Sequence, residues 1–290
     1  MKAIFDKELK SYFTGITGWL FMAVMLLSAG IYTMIYNLSY QYACFEYVFA
    51  SSSFIYLILI PILTMRSFPE ERKQKTDQLL YSLPLKMTDI VLGKFFAAAV
   101  VLLIPVIIMS AYPFVISIFS GIEVFNFKII YSTMLIFYLI GLALIAVCMF
   151  VSSLTENQIL AAIFSFVVVL LAYFSENLTQ YASSSSLIST VIIVLAIVLV
   201  SVIVLILTGN AQLAEIFAIV LSIALVAILI IKSSLIEGVA STVLEKIALF
   251  NPLYTVIYGQ FNISDVIYML SVIILFNFFG VQVLEKRRWA

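Results

Sequence analysis

FFAAAVVLLIPVIIMSAYPFVISIFSGI (95–122) and IIYSTMLIFYLIGLALIAVCMFVSSLT (129–155) are two runs without a single charged side chain, separated by six residues. A helix that crosses a bilayer needs about 20 mostly apolar residues, and each run exceeds that. Further uncharged runs occupy 11–45, 47–65, 157–175, 177–214, 216–231 and 266–284. Over 290 residues the chain is 64% apolar and 10% charged, with mean hydropathy +1.21. Soluble domains are nearer half apolar and a quarter charged. A soluble enzyme and a single-anchor protein are both excluded. The fold class is an all-α polytopic membrane protein forming one transmembrane domain over 1–290.

The residue inventory excludes several chemistries. The chain has no histidine, which removes the commonest general base and metal ligand at neutral pH. Cys44 and Cys148 lie in different segments without metal-type spacing, and Cys148, within LIAVCMF, reads as a small buried hydrophobe. Gly93-Lys94 in VLGKFF has neither the phosphate-cradling loop nor the Ser/Thr of a P-loop. No metal or cofactor site is therefore expected in this chain. Net charge is zero, and no basic patch interleaved with aromatics points to nucleic acid. The start, MKAIFDKELKSYFTG, is not a cleavable signal peptide. It reads as an amphipathic helix over 1–14, with Phe5, Leu9, Tyr12 and Phe13 on one face suited to the membrane interface.

Spans are expected near 16–36, 49–65, 94–119, 129–151, 157–174, 187–208, 213–231 and 265–284. Lys and Arg concentrate in short cytoplasmic loops. With the N-terminus inside, Lys2, Lys7, Lys10, Arg66, Arg72, Lys73, Lys75, Lys86, Lys94, Lys286, Arg287 and Arg288 are cytoplasmic, against Lys128, Lys232 and Lys246 outside. Eight spans return the basic tail EKRRWA to the cytoplasm. Residues 232–264 are expected as an external interfacial segment, because IALFNPLYTVIYGQFNIS is rich in Asn, Pro, Tyr and Gly and a ninth span would strand the tail outside. Pro61, Pro105 and Pro113 fall inside spans, where each removes a backbone donor and bends its helix.

One long polar segment separates the second and third spans: RSFPEERKQKTDQLLYSLPLKMTDIVLGK, 66–94. Ser67 and Glu70 form a capping-box pattern, with Pro69 tolerated in the first turn. Pro84 stops the helix, which leaves about four turns over 67–83. Glu71 and Lys75 stand at i,i+4 in the favourable order. Phe68, Leu79, Leu80 and Leu83 supply apolar contacts, and Glu70, Glu71 and Arg72 supply charge. The segment reads either as a solvated loop helix or as a docking surface for a soluble partner. A second polar turn, SSLTENQ at 152–158, precedes the fifth span and contains Thr155, Glu156 and Asn157. Thr155 or Asn157 is placed to cap the helix that follows.

These pieces together resemble the ABC-2 superfamily of ABC transporter permeases, in the branch typified by gliding-motility and nitrous-oxide-reductase-maturation permeases. KAIFDKELKSYF, the 66–97 segment, SSLTENQILAAIFSF and DVIYMLSVIILFNFFGVQVLEKRRW carry the resemblance, in order along nearly the whole chain. It implies a type V exporter-like fold with an interfacial helix and then a cytoplasmic coupling helix near 67–83. It also implies two permease protomers, identical or related, each seated on a separate ATPase subunit that holds ATP and Mg. The location implied is the bacterial cytoplasmic membrane. Family members usually have six spans, so the pair at 187–231 departs from the pattern.

Three other classes compete. A secondary transporter or channel commonly places ionisable groups at mid-membrane, whereas the middles of these spans are uncharged, and Glu156, Glu176, Glu215 and Lys232 fall near span ends. Survival of transport under ATP depletion and its collapse with an uncoupler would identify that class. A membrane-embedded enzyme needs convergent bases, nucleophiles or ligands, and the spacing provides none. A non-transporting assembly subunit that recruits an ATPase would release no cargo from loaded vesicles. The cargo itself is not legible in the residues.

Overall fold

The computed structural model describes residues 1–76, 86–119, 125–184 and 248–289, with isolated positions 194, 215, 219 and 220. The chain divides into two units, 1–170 with 252–290, and 171–251. In the first unit α1 (Lys2–Thr14) precedes α2 (Ile16–Thr33), which continues as a π-helical turn over Met34–Ser39. Next come α3 (Glu46–Ser52), a 3-10 turn, α4 (Tyr56–Thr64) and the short α5 (Pro69–Lys73). The long α6 (Met87–Phe119), α7 (Phe127–Leu154), α8 (Gln158–Ser184), α9 (Asn251–Ile257) and α10 (Ile263–Trp289) follow.

Among the described residues six stretches are long and apolar enough to cross a membrane: Ile16–Ser39, Glu46–Lys73, Met87–Ile118, Phe127–Leu154, Gln158–Ser175 and Ile263–Arg288. They coincide with six of the eight expected spans. The expected pair at 187–208 and 213–231 lies outside the described residues. The second span is assembled from pieces rather than one regular helix. Ser53 donates its hydroxyl to the Ala50 carbonyl at 2.6 Å where the chain tightens to 3-10 geometry, and Pro61 within α4 has no N–H to give. Pro105 and Pro113, by contrast, lie inside α6 without ending it.

The core of this unit surrounds α7. Every residue from Ala143 to Phe150 is buried, as expected of a helix that is apolar all round and enclosed by others. α4, α6 and α10 pack along it. The Tyr56 ring stacks on Phe137 at 4.6 Å, and its hydroxyl donates to the Phe137 carbonyl at 3.2 Å. Gly141 permits this approach: a Cβ there would lie 2.5 Å from Leu102 Cδ2 and 3.1 Å from Tyr56 Oη. Elsewhere the helices keep apolar side chains on their outer faces, including Ile159, Ile163 and Phe164 of α8 and Ile267, Ile274 and Phe278 of α10. Such faces are stable against lipid and costly against water.

Within the expected external segment, α9 has seven residues, too few to span a bilayer, and buries Pro252, Leu253 and Val256. Tyr258 and Phe261 beyond it are exposed. In the second unit the Tyr173 ring meets Phe250 edge-on at 4.9 Å.

Candidate functional site

The polar segments of the first unit meet at one end of its helices. α1 reaches that end because Gly93 of α6 leaves room for Ile4: a Cβ on Gly93 would come within 3.0 Å of Ile4 Cγ2. Close packing of the two helices sets Glu8, one turn after Ile4, opposite Lys94. Lys94 Nζ lies 2.8 Å from Glu8 Oε1 and 3.0 Å from Glu71 Oε2. Lys7 Nζ lies 2.8 Å from Glu71 Oε1 and 3.6 Å from Glu8 Oε1. Four charges from α1, α5 and α6 therefore alternate in sign and sum to zero. Lys94 is 2% exposed, and its ammonium also sits 5.4 Å from the Phe68 ring centroid. Burial opposes the charge on Lys7, but Glu71 and Glu8 outweigh it and hold the ammonium above its ordinary pKa.

Of the helix expected over 67–83, residues 77–83 lie outside the described residues; within 67–76 the chain forms the short α5, turns at Gln74 and Lys75, and is helical again at Thr76. Phe68 occupies the cap position without any side-chain cap bond, and Pro69 takes the first turn. The expected Ser67–Glu70 capping box is not formed. The helix ends at Lys73, and Lys75 adopts φ 56°. Glu71 does not pair with Lys75 here. Its carboxylate is held by Lys94 and Lys7 from other elements, while Thr76 Oγ1 donates to the Glu71 carbonyl at 3.2 Å. Leu79, Leu80 and Leu83 lie outside the described residues.

Phe68 and Arg72, expected on a partner-facing surface, are turned inward, at 4% and 9% exposure. Glu70 is half-buried. Arg72 Nη1 donates to the Thr155 carbonyl at 2.7 Å and Nη2 to the Ser153 carbonyl at 2.6 Å. Those carbonyls close the C-terminus of α7, where the last four have no partner within the helix. A guanidinium satisfies two of them at once with a fork that lysine lacks. Two residues on, Asn157 Oδ1 accepts from the Ile159 N–H at 2.9 Å and caps α8. Of the two expected cap residues, Asn157 performs the role. Glu156 is exposed and pairs with Arg287 of α10 at 3.0 Å.

The structure thus joins two motifs that are separate in the sequence, with Arg72 as the link. Lys94, Lys7, Glu8 and Ser153 are site residues that sequence reasoning missed. One signal was available: Lys94 stands between VLG and FFAAA, and a cation so enclosed needs a carboxylate. Among the described residues no group of three or more Cys, Asp or Glu could hold a metal ion. This connector links α1, α5, α6, the α7–α8 turn and α10 through ion pairs and hydrogen bonds.

A family sequence model described as ABC-2 family transporter protein matches residues 2–184. That stretch is more than half of the chain and includes every residue of the connector except Arg287. Searches of curated proteins and of solved structures found no match.

Proposed function

Because this chain belongs to the ABC-2 family of transporter proteins and is the membrane permease subunit of an ABC transporter, we propose that it works as an exporter driven by a separate ATPase subunit. ATP and Mg reside on that partner, and a second permease protomer, identical or related, completes the transporter. Within the family it is assigned to the branch typified by gliding-motility and nitrous-oxide-reductase-maturation permeases, on the segments that carry that resemblance. Both termini face the cytoplasm of a bacterial cell.

The observation that supports this most strongly is the connector: Lys7, Glu71, Arg72, Lys94, Glu156 and Arg287 tie four polar segments together at the end where the sequence concentrates its Lys and Arg. A partner docking on the chain beyond α5 would engage exposed Lys73 and Gln74 at the rim. Leu79, Leu80 and Leu83 would be its apolar anchors. Truncating a buried anchor commonly costs about 2 kcal/mol or more, whereas rim charges contribute little.

The test is co-purification with a co-expressed ATP-binding subunit, together with ATP hydrolysis by the complex and by the isolated chain. Hydrolysis is expected only in the complex. Leu79→Ala with Leu80→Ala should weaken association or uncouple hydrolysis from transport at normal membrane abundance, and Lys73→Ala should do much less. Hydrolysis by the isolated chain, or wild-type association and coupling in the double variant, would refute the reading.

A further inference from the structure

We propose that Arg72 is a positioning residue that makes α5 and the N-terminus of α8 move as one body. This rests on the reading that an ATPase acts on the segment after the second span. It adds where that motion goes inside the permease.

The argument starts from the unequal attachments of α5. Its polar link to α1 and α6 runs from side chain to side chain: Lys7 donates to Glu71 Oε1 at 2.8 Å, and the buried Lys94 stands 3.0 Å from Glu71 Oε2. Both partners of Glu71 are ammonium groups at the ends of long flexible side chains, which follow a small displacement of the carboxylate by changing rotamer without losing the pair. The link to the α7–α8 turn is of another kind. Two short charge-assisted hydrogen bonds from one planar guanidinium fix both distance and orientation. They end on the backbone, where no rotamer can yield. Only Glu156 separates Thr155 from Asn157, and Asn157 holds the first turn of α8 through its side chain and through its carbonyl, which accepts from the Ala161 N–H at 3.0 Å. A rigid path of few bonds therefore runs from α5 through Arg72 to the start of α8. The beginning of α8 has less to hold it in place: Ile159, Leu160, Ile163 and Phe164 are exposed, so much of its surface is not interlocked with other helices of this chain. A displacement of α5 is absorbed at the ion pairs and transmitted along the hydrogen bonds.

Double electron–electron resonance on the complex with a co-expressed ATP-binding subunit, in nanodiscs, tests this. Spin labels are placed pairwise at Gln74, Ile159 and Ile118, in a background carrying Cys44→Ser and Cys148→Ala. In the otherwise wild-type protein, ATP with vanadate should shift the 74–118 and 159–118 distances while 74–159 stays constant. With Arg72→Gln, 74–118 should still shift, 159–118 should not, and 74–159 should change. With Arg72→Lys, which can reach one carbonyl at a time, 74–159 should broaden and the 159–118 shift should shrink. Retention of the full 159–118 shift in Arg72→Gln overturns the inference while leaving the ATPase reading intact. If Arg72→Gln fails to assemble, Arg72→Lys decides, and a 74–159 distribution as narrow as wild type overturns it. Absence of any ATP-dependent change at 74–118 in the wild-type protein refutes the ATPase reading, and the inference falls with it.

Discussion

Lys94 Nζ meets Glu8 Oε1 at 2.8 Å across 86 residues of chain, with 2% of the lysine side chain exposed. A buried cation of this sort is tolerable only while its carboxylates are present. Removing one member of a buried pair leaves a charge without compensation and costs about 3–5 kcal/mol, whereas replacing the whole set by apolar groups can be neutral.

Lys94→Met should therefore destabilise the protein by about 3 kcal/mol, because Glu8 and Glu71 then face each other with only the exposed Lys7 between them. Adding Glu8→Gln should recover a large part of the loss. Thermal unfolding of the detergent-solubilised single and double variants measures both. A double variant less stable than Lys94→Met would contradict the account of the network.

Two glycines of α2 should respond in opposite ways to alanine. A Cβ on Gly18 would lie 2.6 Å from the Tyr12 carbonyl oxygen, whereas one on Gly30 would meet nothing within 4 Å. The obstacle at Gly18 is backbone, so Gly18→Ala must open the corner between α1 and α2, at a cost of about 1–3 kcal/mol. Gly30→Ala should be neutral or stabilising by up to about 1 kcal/mol, through the better helix propensity of alanine. Equal melting temperatures for the two variants would show that the corner is not packed as described.

Glu46 begins α3 and is buried, yet its Oε2 has no hydrogen-bond partner. The Cys44 thiol is the one side-chain partner of this carboxyl among the described residues, and burying a carboxylate with so little hydrogen bonding is a net cost to the fold. Glu46→Gln, which keeps the shape and removes the charge, should leave the melting temperature unchanged or raise it. A clear fall would mean that the carboxylate has a partner in the membrane.

The proposed cytoplasmic placement of both termini rests on the Lys and Arg asymmetry. In a Cys44→Ser background, a cysteine at Gln41 should react with an impermeant thiol reagent on intact cells and one at Lys73 should not. The same reagent applied at Ser184 and Asn210 addresses the expected pair of spans at 187–208 and 213–231, with Ser184 reactive and Asn210 protected. Labelling at Lys73 in intact cells would invert the orientation.

What the sequence determined by itself is the class of protein and the positions of six spans, since hydropathy is a property of composition along the chain and the bilayer demands about 20 apolar residues wherever a helix crosses. It also located the two polar turns and offered Asn157 as a cap, because capping is decided within three or four residues. Contacts between distant segments were beyond it. Glu71 and Lys75 satisfy a local pairing rule, yet Glu71 is claimed by Lys94 and Lys7, and α5 stops at Lys73. Ser67 and Glu70 satisfy a capping rule, yet Phe68 holds the cap position. Arg72 looked like a surface charge and proved to be buried on the carbonyls of Ser153 and Thr155. For Glu71 a worth of a few tenths of a kcal/mol for the local pair competed with the larger cost of leaving the buried Lys94 unpaired, and for Arg72 the helix-terminal carbonyls of α7 outweighed exposure to water. Only the tertiary structure could settle either contest, because it alone determines which groups lose contact with water.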